Sequence, residues 1–274
     1  MLRRWLGSKG TGNGSDRQTP AAHPREQLAH FPRDPLPDIA RADVQGWPFP
    51  AHLDNPNCKW LQALKHVYAQ KITFPASLSP QAGQLLHALV LNAQPTVVIE
   101  TGMFLGISTI WMAAALEVSG TEGVVHSVDD FRPIRKGRWR DEEMPESDDR
   151  ERRVRAHLAL AGLEHRVHIH PGDSAAGVAA LAATLQSQRN SVQFAFLDAD
   201  HTPKGVRGEF EALEPVLDTG GYVILHDIYP EICNWRGPRQ LLDDIHTFAK
   251  GRYEHMDLYL APANFGMGVL RRIG

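Results

Sequence analysis

The sequence predicts an α/β fold with a doubly wound, mostly parallel sheet of seven strands, preceded by N-terminal helices. From Pro95 onward, short β-branched or apolar runs alternate with segments of helical periodicity. Such alternation requires parallel strands with helices on both faces, because each crossover returns along one face of the sheet. The last two predicted strands are joined only by residues 261–264, which predicts an antiparallel hairpin at one edge.

The chain divides into three predicted parts. Residues 1–50 are rich in Gly, Pro, Asp and Arg without periodicity, and we expect a disordered or loosely docked arm. Residues 51–94 carry apolar positions at helical spacing, which predicts two cap helices at residues 55–71 and 79–92. Residues 95–274 form the predicted α/β domain.

The elements of that domain follow in regular order. The predicted strands are residues 96–100, 123–129, 166–170, 192–198, 221–226, 253–260 and 265–271. The predicted helices are residues 106–117, 150–161, 175–186, 203–217 and 238–250. Strands four and five are expected to be neighbours, and ligands are expected at the carboxyl ends of the strands.

Composition excludes several classes of protein. The 274 residues carry a net charge of −3, so no overall basic field attracts nucleic acid. Cys58 and Cys233 lie far apart, which predicts neither a disulfide framework nor a thiolate zinc site and is typical of a reducing cytoplasm. The absence of an apolar run of about 20 residues predicts no membrane span.

The loop after strand one is predicted to bind a cofactor. Gly102 and Gly106 let the backbone pass close to a ligand without interference from a Cβ atom. Their G-x-x-x-G spacing differs from the dinucleotide fingerprint, which needs a glycine where this chain has Phe104. The alternative is a tight strand-to-helix turn with no ligand.

The next two strands also end in polar residues. Asp129 closes strand two, where nucleotide-binding α/β folds hold ribose hydroxyls. Asp173 and Ser174 follow strand three and are placed to meet an adenine edge, although either residue could instead cap the next helix.

Taken together, the segments 100–108, 172–174, 196–201 and 220–227 with Asp129 resemble successive motifs of class I S-adenosylmethionine (SAM)-dependent O-methyltransferases. The resemblance covers about residues 80–271 and is nearest to the small-molecule branch that includes catechol, caffeoyl-CoA and natural-product sugar O-methyltransferases. It implies SAM as cofactor, and a carboxylate such as Glu100 suits the ammonium group of SAM. The implied cofactor-binding residues are Glu100, Gly102, Gly106, Ser108, Asp129, Asp173, Ser174 and Asp198.

The ends of strands four and five carry the predicted chemistry. The resemblance implies a divalent metal, Mg²⁺ or Mn²⁺, on Asp198, His226 and Asp227, with His226 standing where the family usually has a carboxylate or amide. A histidine ligand shifts selectivity toward manganese, iron or zinc. Such a metal would orient the acceptor oxygen and lower its pKa.

His201 is the predicted general base, with Asp198 as a further catalytic residue. It follows Asp198 by three residues and occupies the position of a catalytic lysine in the catechol and caffeoyl-CoA enzymes. An imidazole with a pKa of about 6.5 suits proton removal at neutral pH. Lys204 is the second candidate base, and a loop histidine that bonds to backbone is the alternative for His201.

The acceptor pocket is expected beside these residues. The charged stretch 132–153, which contains Trp139, is either a lid or solvated surface. Trp139 and Trp235 would form an aromatic wall for a planar substrate. We expect a small hydroxylated acceptor, and the apolar N-terminal helix pair makes a homodimer plausible.

Three other functions remain open from the sequence. The first is a metal-independent SAM methyltransferase with His201 as the only base. The second is an NAD-dependent oxidoreductase, disfavoured by the glycine spacing and by the lack of a Tyr-x-x-x-Lys pair. The third is a non-catalytic binding module on the same fold.

Overall fold

The computed structural model describes residues 46–134, 144, 149–249, 252–260 and 265–274. Nearly all of the predicted arm, residues 1–50, lies outside the described residues. Trp139 and most of the predicted lid, residues 132–153, also lie outside them. The three-part division of the chain therefore stays a prediction.

Within the described residues the centre of the fold is a seven-stranded sheet. Its strands are β1 (Val97–Thr101), β2 (Val124–Asp129), β3 (Val167–Pro171), β4 (Val192–Leu197), β5 (Leu217–His226), β6 (Tyr253–Leu258) and β7 (Met267–Arg272). The strand order is β3-β2-β1-β4-β5-β7-β6. The first five strands in this order are parallel, β7 is antiparallel to β5, and β6 is antiparallel to β7. The predicted fold class and edge hairpin are confirmed.

Helices flank this sheet. They are α1 (Lys59–Tyr68), α2 (Pro80–Ala93), α3 (Ile107–Ser119), α4 (Arg150–Ala161), α5 (Ser174–Ser187), α6 (Pro203–Leu213), α7 (Pro230–Cys233) and α8 (Gly237–Phe248). None of the helices in the described part of the chain is long and apolar enough to cross a membrane.

The two cap helices pack on the sheet domain through α3. The indole nitrogen of Trp111 donates to the Tyr68 hydroxyl at 3.1 Å, and Trp60 meets the Trp111 ring edge-on at 5.6 Å. A Cβ atom on Gly83 would lie 2.0 Å from the Trp111 indole nitrogen. Any residue larger than glycine at this position would therefore clash with the ring. Burial of these rings fixes the cap helices against the domain.

The predicted helix 203–217 is too long. The α-helix ends at Leu213, a 3₁₀ turn covers Glu214–Val216, and β5 begins at Leu217 instead of residue 221. Pro215 is the reason, because its ring would clash with the carbonyl of Glu211 and it has no N–H to continue the helix. An irregular register with β4 and the positive φ of Gly220 then bend the first half of β5.

Candidate active site

Gly102 brings the end of β1 against the end of β4. The Asp198 backbone N–H donates to the Thr101 carbonyl at 3.0 Å, and Gly102 has a φ of 82°. A Cβ atom on Gly102 would lie 2.4 Å from the Asp198 carbonyl oxygen. The sequence attributed this glycine to close approach of a cofactor. The structure shows a close approach to the protein's own backbone at Asp198 as well, and the predicted contact of Gly102 with a cofactor stays a prediction.

Glu100 is wholly buried at the centre of the same loop. Its carboxylate accepts hydrogen bonds from the hydroxyls of Ser108 at 2.5 Å, Thr109 at 2.6 Å and Ser127 at 2.5 Å. Burial raises the pKa of Glu100 to about 7. These bonds join β1, β2 and α3 beneath the glycine loop. The contact of Glu100 and Ser108 with a cofactor stays a prediction.

Asp129, the predicted ribose ligand, makes a buried ion pair that the sequence did not indicate. Arg150 contacts both carboxylate oxygens, at 2.5 Å and 3.0 Å, and the two side chains are only 8% and 6% exposed. The backbone N–H groups of Phe104 and Phe131 donate to the same carboxylate at 3.1 Å and 2.7 Å. A carboxylate offers about four acceptor positions. Each oxygen of Asp129 therefore already accepts two hydrogen bonds, and a ribose hydroxyl must compete for them.

The residues after β3 are held by helix α5 and by a second buried carboxylate. Asp173 caps α5 by accepting from the Ala176 N–H at 2.9 Å, which is the capping alternative that the sequence left open. Ser174 donates its hydroxyl to Glu209 at 2.5 Å. Their predicted contact with adenine stays a prediction.

Glu209 is a site residue that the sequence analysis missed. It is completely buried on α6 and also accepts from the Thr101 hydroxyl at 2.9 Å and the Asp200 N–H at 3.2 Å. Burial raises its pKa to about 7. The sequence did contain a sign that Glu209 is buried. It lies on the helix face that also carries Val206, Phe210 and Leu213, where helical spacing predicts an apolar residue.

Two carboxylates and two imidazoles meet where β4 and β5 end. Leu197 of β4 pairs with Leu225 of β5, so the residues that follow lie side by side. His201 Nε2 lies 3.2 Å from Asp198 Oδ1 and 3.1 Å from Asp227 Oδ2. His226 Nδ1 lies 3.3 Å from Asp198 Oδ1 and 3.0 Å from Asp227 Oδ1. We call these four residues, Asp198, His201, His226 and Asp227, the carboxylate–imidazole cluster.

Three members of this cluster are placed to hold a metal ion, and the predicted ligand His226 is replaced in this group by His201. Asp198, His201 and Asp227 each offer a ligand atom, and these atoms lie within 4.8 Å of one another. Among the described residues, both ring nitrogens of His226 and Oδ1 of Asp227 are buried, and the close contact between Nδ1 and Oδ1 lacks the geometry of a hydrogen bond. Buried polar atoms normally have one. The mixed oxygen and nitrogen donors suit a divalent transition metal better than magnesium. The predicted ligands are therefore adjacent, and His201 joins them.

Comparison with known proteins finds a similar family over part of this chain. Residues 99–228, from β1 to just beyond β5, match the family model described as a methyltransferase domain. This segment is therefore similar to a methyltransferase domain. No curated protein sequence matches it significantly.

Solved structures share the fold of this chain. They include a putative O-methyltransferase from Klebsiella pneumoniae, with 19% identity, a TM-score of 0.56 and coverage of 81% of this chain and 93% of that one. The O-methyltransferase from Bacillus cereus in complex with SAH has 19% identity, a TM-score of 0.55 and the same coverage. The O-methyltransferase TomG from Streptomyces achromogenes, in complex with SAM, has 18% identity, a TM-score of 0.55 and coverage of 79% and 88%. The match to the methyltransferase model agrees with the predicted enzyme class, and the solved structures share the predicted fold.

The carboxylate–imidazole cluster is an ion-pair network when no metal is bound. Burial disfavours the charged imidazole, yet hydrogen bonds to Asp198 and Asp227 overcome it and raise the pKa of His201 to about 10. Burial likewise opposes charge on His226, but the two carboxylates raise its pKa to about 10. Despite its own burial, Asp227 has a pKa below its usual range because both imidazoles face it. In this state His201 holds its proton at neutral pH and cannot accept another.

The remaining predicted residues lie around the cluster. Trp235 stacks on His201 at 5.5 Å between ring centroids and is 48% exposed, so it borders the cluster with an accessible aromatic face. Asp200 accepts from the Thr202 N–H at 2.7 Å and lies against Gly205, where it belongs to the start of α6. Lys204 is exposed at the second position of α6.

Proposed function

We propose that this protein is a SAM-dependent O-methyltransferase that uses a divalent metal to methylate a small hydroxylated acceptor. The observation that carries the proposal is the carboxylate–imidazole cluster, which lies at the carboxyl ends of β4 and β5 and directly beside the Gly102 loop. Ligands in such sheets bind at this edge. The names of the Bacillus cereus and Streptomyces proteins, bound to SAH and to SAM, support the choice of cofactor.

Asp198 and Asp227 would hold the metal, with His201 and His226 as nitrogen ligands. A divalent cation bound there would lower the pKa of a coordinated acceptor hydroxyl and orient it toward the methyl group of SAM. Asp227 has a φ of 59°, which is uncommon for a residue other than glycine and points to a backbone shaped for its site. Trp235 would line the acceptor side with its exposed ring.

The position of His201 favours metal assistance over a metal-independent reaction. Its Nε2 atom points into the cluster and contacts both carboxylates, so it is placed as a ligand or as a holder of the two aspartates. A free general base needs an unprotonated nitrogen directed at the acceptor. The metal-independent alternative therefore requires His201 to leave its ion pairs.

The cofactor would lie over the Gly102–Gly106 loop, between Asp129 and Asp198. Because Asp129 already accepts four hydrogen bonds, we expect Arg150 to withdraw from at least one oxygen when a ribose binds. Assembly as a homodimer and a cytoplasmic location stay predictions of the sequence.

The test separates cofactor binding from metal dependence. Calorimetry with SAM should show binding with and without chelator, whereas methyl transfer to a panel of phenols, catechols and glycosides should need added Mn²⁺ or Mg²⁺. Asp198→Asn should remove the metal-dependent activity. Asp200→Asn, two residues away and bonded to the start of α6, is the matched control and should keep it.

Full turnover in excess chelator would rule out the metal and favour the metal-independent reaction. Binding of NAD instead of SAM would overturn the proposed cofactor. Tight SAM binding without turnover on any acceptor would favour a binding module.

A further inference from the structure

Three histidines lie together on one face of β2 and β3, away from the carboxylate–imidazole cluster. His126 of β2 is the direct register partner of His168 of β3, and His170 lies two residues further along β3. Residues two apart on a strand point to the same face. This is the face that carries Val128, against which Gly177 of α5 packs. We call His126, His168 and His170 the histidine triad.

The rings of the triad are in contact. His126 Nδ1 lies 3.1 Å from His170 Nε2, so the two nitrogens share one hydrogen. His168 stacks on His126 with ring centroids 5.2 Å apart, and the His126 and His170 rings are 5.3 Å apart. His168 is exposed, and the other two rings are partly buried.

This spacing is that of two ligands on one metal ion. Imidazole nitrogens bind zinc at about 2.0–2.1 Å, and two such bonds at an angle between 90° and the tetrahedral value place their nitrogens about 2.9–3.4 Å apart. The 3.1 Å separation of His126 and His170 falls within this range. The imidazole that donates the shared hydrogen changes tautomer, so that this hydrogen moves to its other ring nitrogen and both facing nitrogens have a free lone pair. Small rotations of the two rings then direct these lone pairs to one ion.

His126 and His170 also offer their nitrogens in the neutral form that metals require. Burial, together with the neighbouring imidazoles, lowers the pKa of His126 to about 4, and burial lowers that of His170. Since both of these imidazoles resist protonation, a dication bound between them does not have to displace an added proton.

We propose that the histidine triad binds one transition-metal ion of the zinc class, with His126 and His170 as the chelating pair and His168 as the third ligand after rotation of its ring. An all-imidazole site selects Zn²⁺, Ni²⁺ or Cu²⁺ over Mg²⁺ and Ca²⁺. The site links the edge strand β3 to β2 and is independent of the metal in the proposed function.

Titration of metal-stripped full-length protein with Zn²⁺ by calorimetry tests the proposal. The His126→Gln/His170→Gln double variant should lose one equivalent of bound Zn²⁺ compared with the wild type. His165→Gln, an exposed histidine beside Glu117, is the control and should lose none. Asp198→Asn/Asp227→Asn should remove a different equivalent, or none if the proposed active-site metal is wrong, without changing the loss at the triad.

A second measurement on the wild type avoids any folding defect of the variants. Zn²⁺ should protect His126 and His170 from modification by diethyl pyrocarbonate, as read by peptide mapping, while Mg²⁺ should not. Equal Zn²⁺ binding by a folded double variant and the wild type would overturn the proposal. Modification of both histidines at the same rate with and without Zn²⁺ would also overturn it.

Discussion

Replacement of Gly102 by alanine should destabilise the fold and displace Asp198 at the same time. The new Cβ atom would lie 2.4 Å from the Asp198 carbonyl oxygen, 2.6 Å from its carbonyl carbon and 2.9 Å from the Cα of Ala199. These are backbone atoms that cannot rotate away. The left-handed φ of 82° costs a non-glycine residue about 1–2 kcal/mol. Relief of the clash costs about 1–3 kcal/mol more. We expect a loss of about 2–5 kcal/mol in the free energy of unfolding.

Gly106→Ala is the matched control in the same loop. Gly106 has a similar φ of 85°, but its Cβ atom would meet only the side chain of Val154, at 3.5 Å. We therefore expect only the conformational cost of about 1–2 kcal/mol. Urea denaturation measures both losses, and Mn²⁺ calorimetry should show weaker binding for the Gly102 variant alone. Equal losses of stability, or unchanged Mn²⁺ affinity in Gly102→Ala, would refute the argument that this glycine positions Asp198.

Three other predictions follow from the charged groups. Asp227→Asn should remove a metal ligand and sharply weaken Mn²⁺ binding, as measured by calorimetry. The control Asp218→Asn, at the opposite end of β5, should leave Mn²⁺ affinity unchanged. An equal loss of Mn²⁺ affinity in both variants would argue against the cluster as the metal site. Arg150→Met leaves a buried carboxylate unpaired and should cost about 3–5 kcal/mol in urea denaturation. Arg155→Met, which breaks a surface pair on the same helix, should cost less than about 1 kcal/mol, and similar losses would contradict the importance of burial. The pKa of Glu209 is raised from 4.5 to about 7 in the folded protein. Between these two pH values the folded state therefore binds more protons than the unfolded state, and the free energy of unfolding falls as the pH rises. Glu209→Gln should therefore lose less stability between pH 5 and pH 7.5 than the wild type, and an unchanged pH profile would refute the assigned pKa.

The fold was predictable because its pattern is local. Alternating strand and helix periodicities, together with the short final connection, were enough for the mostly parallel sheet and its edge hairpin. Most predicted ends lie within two residues of the observed ones. The exceptions include the junction of α6 and β5, where Pro215 ends the helix and a bent strand begins earlier than its apolar run.

The site was predictable only in part. Asp198, His201, His226 and Asp227 could be placed together, because the carboxyl ends of two neighbouring parallel strands share one edge. Arg150 could not be placed, since it is one of many charges in the stretch 132–153 and nothing local distinguishes it from solvated surface.

The sequence by itself determined the order of strands and helices, the glycine loop and the two acidic strand ends, because these depend on residue types at short spacing. Only the tertiary structure decided what each polar group contacts. In the structure, Gly102 lies against the backbone of Asp198 and Asp129 forms an ion pair with Arg150. The imidazole of His201 contacts the carboxylates of Asp198 and Asp227. The physical reason is that a buried charge is stable only beside its partner, and such a partner can come from a distant segment, as Arg150 does for Asp129 at a separation of 21 residues, which a local pattern cannot specify.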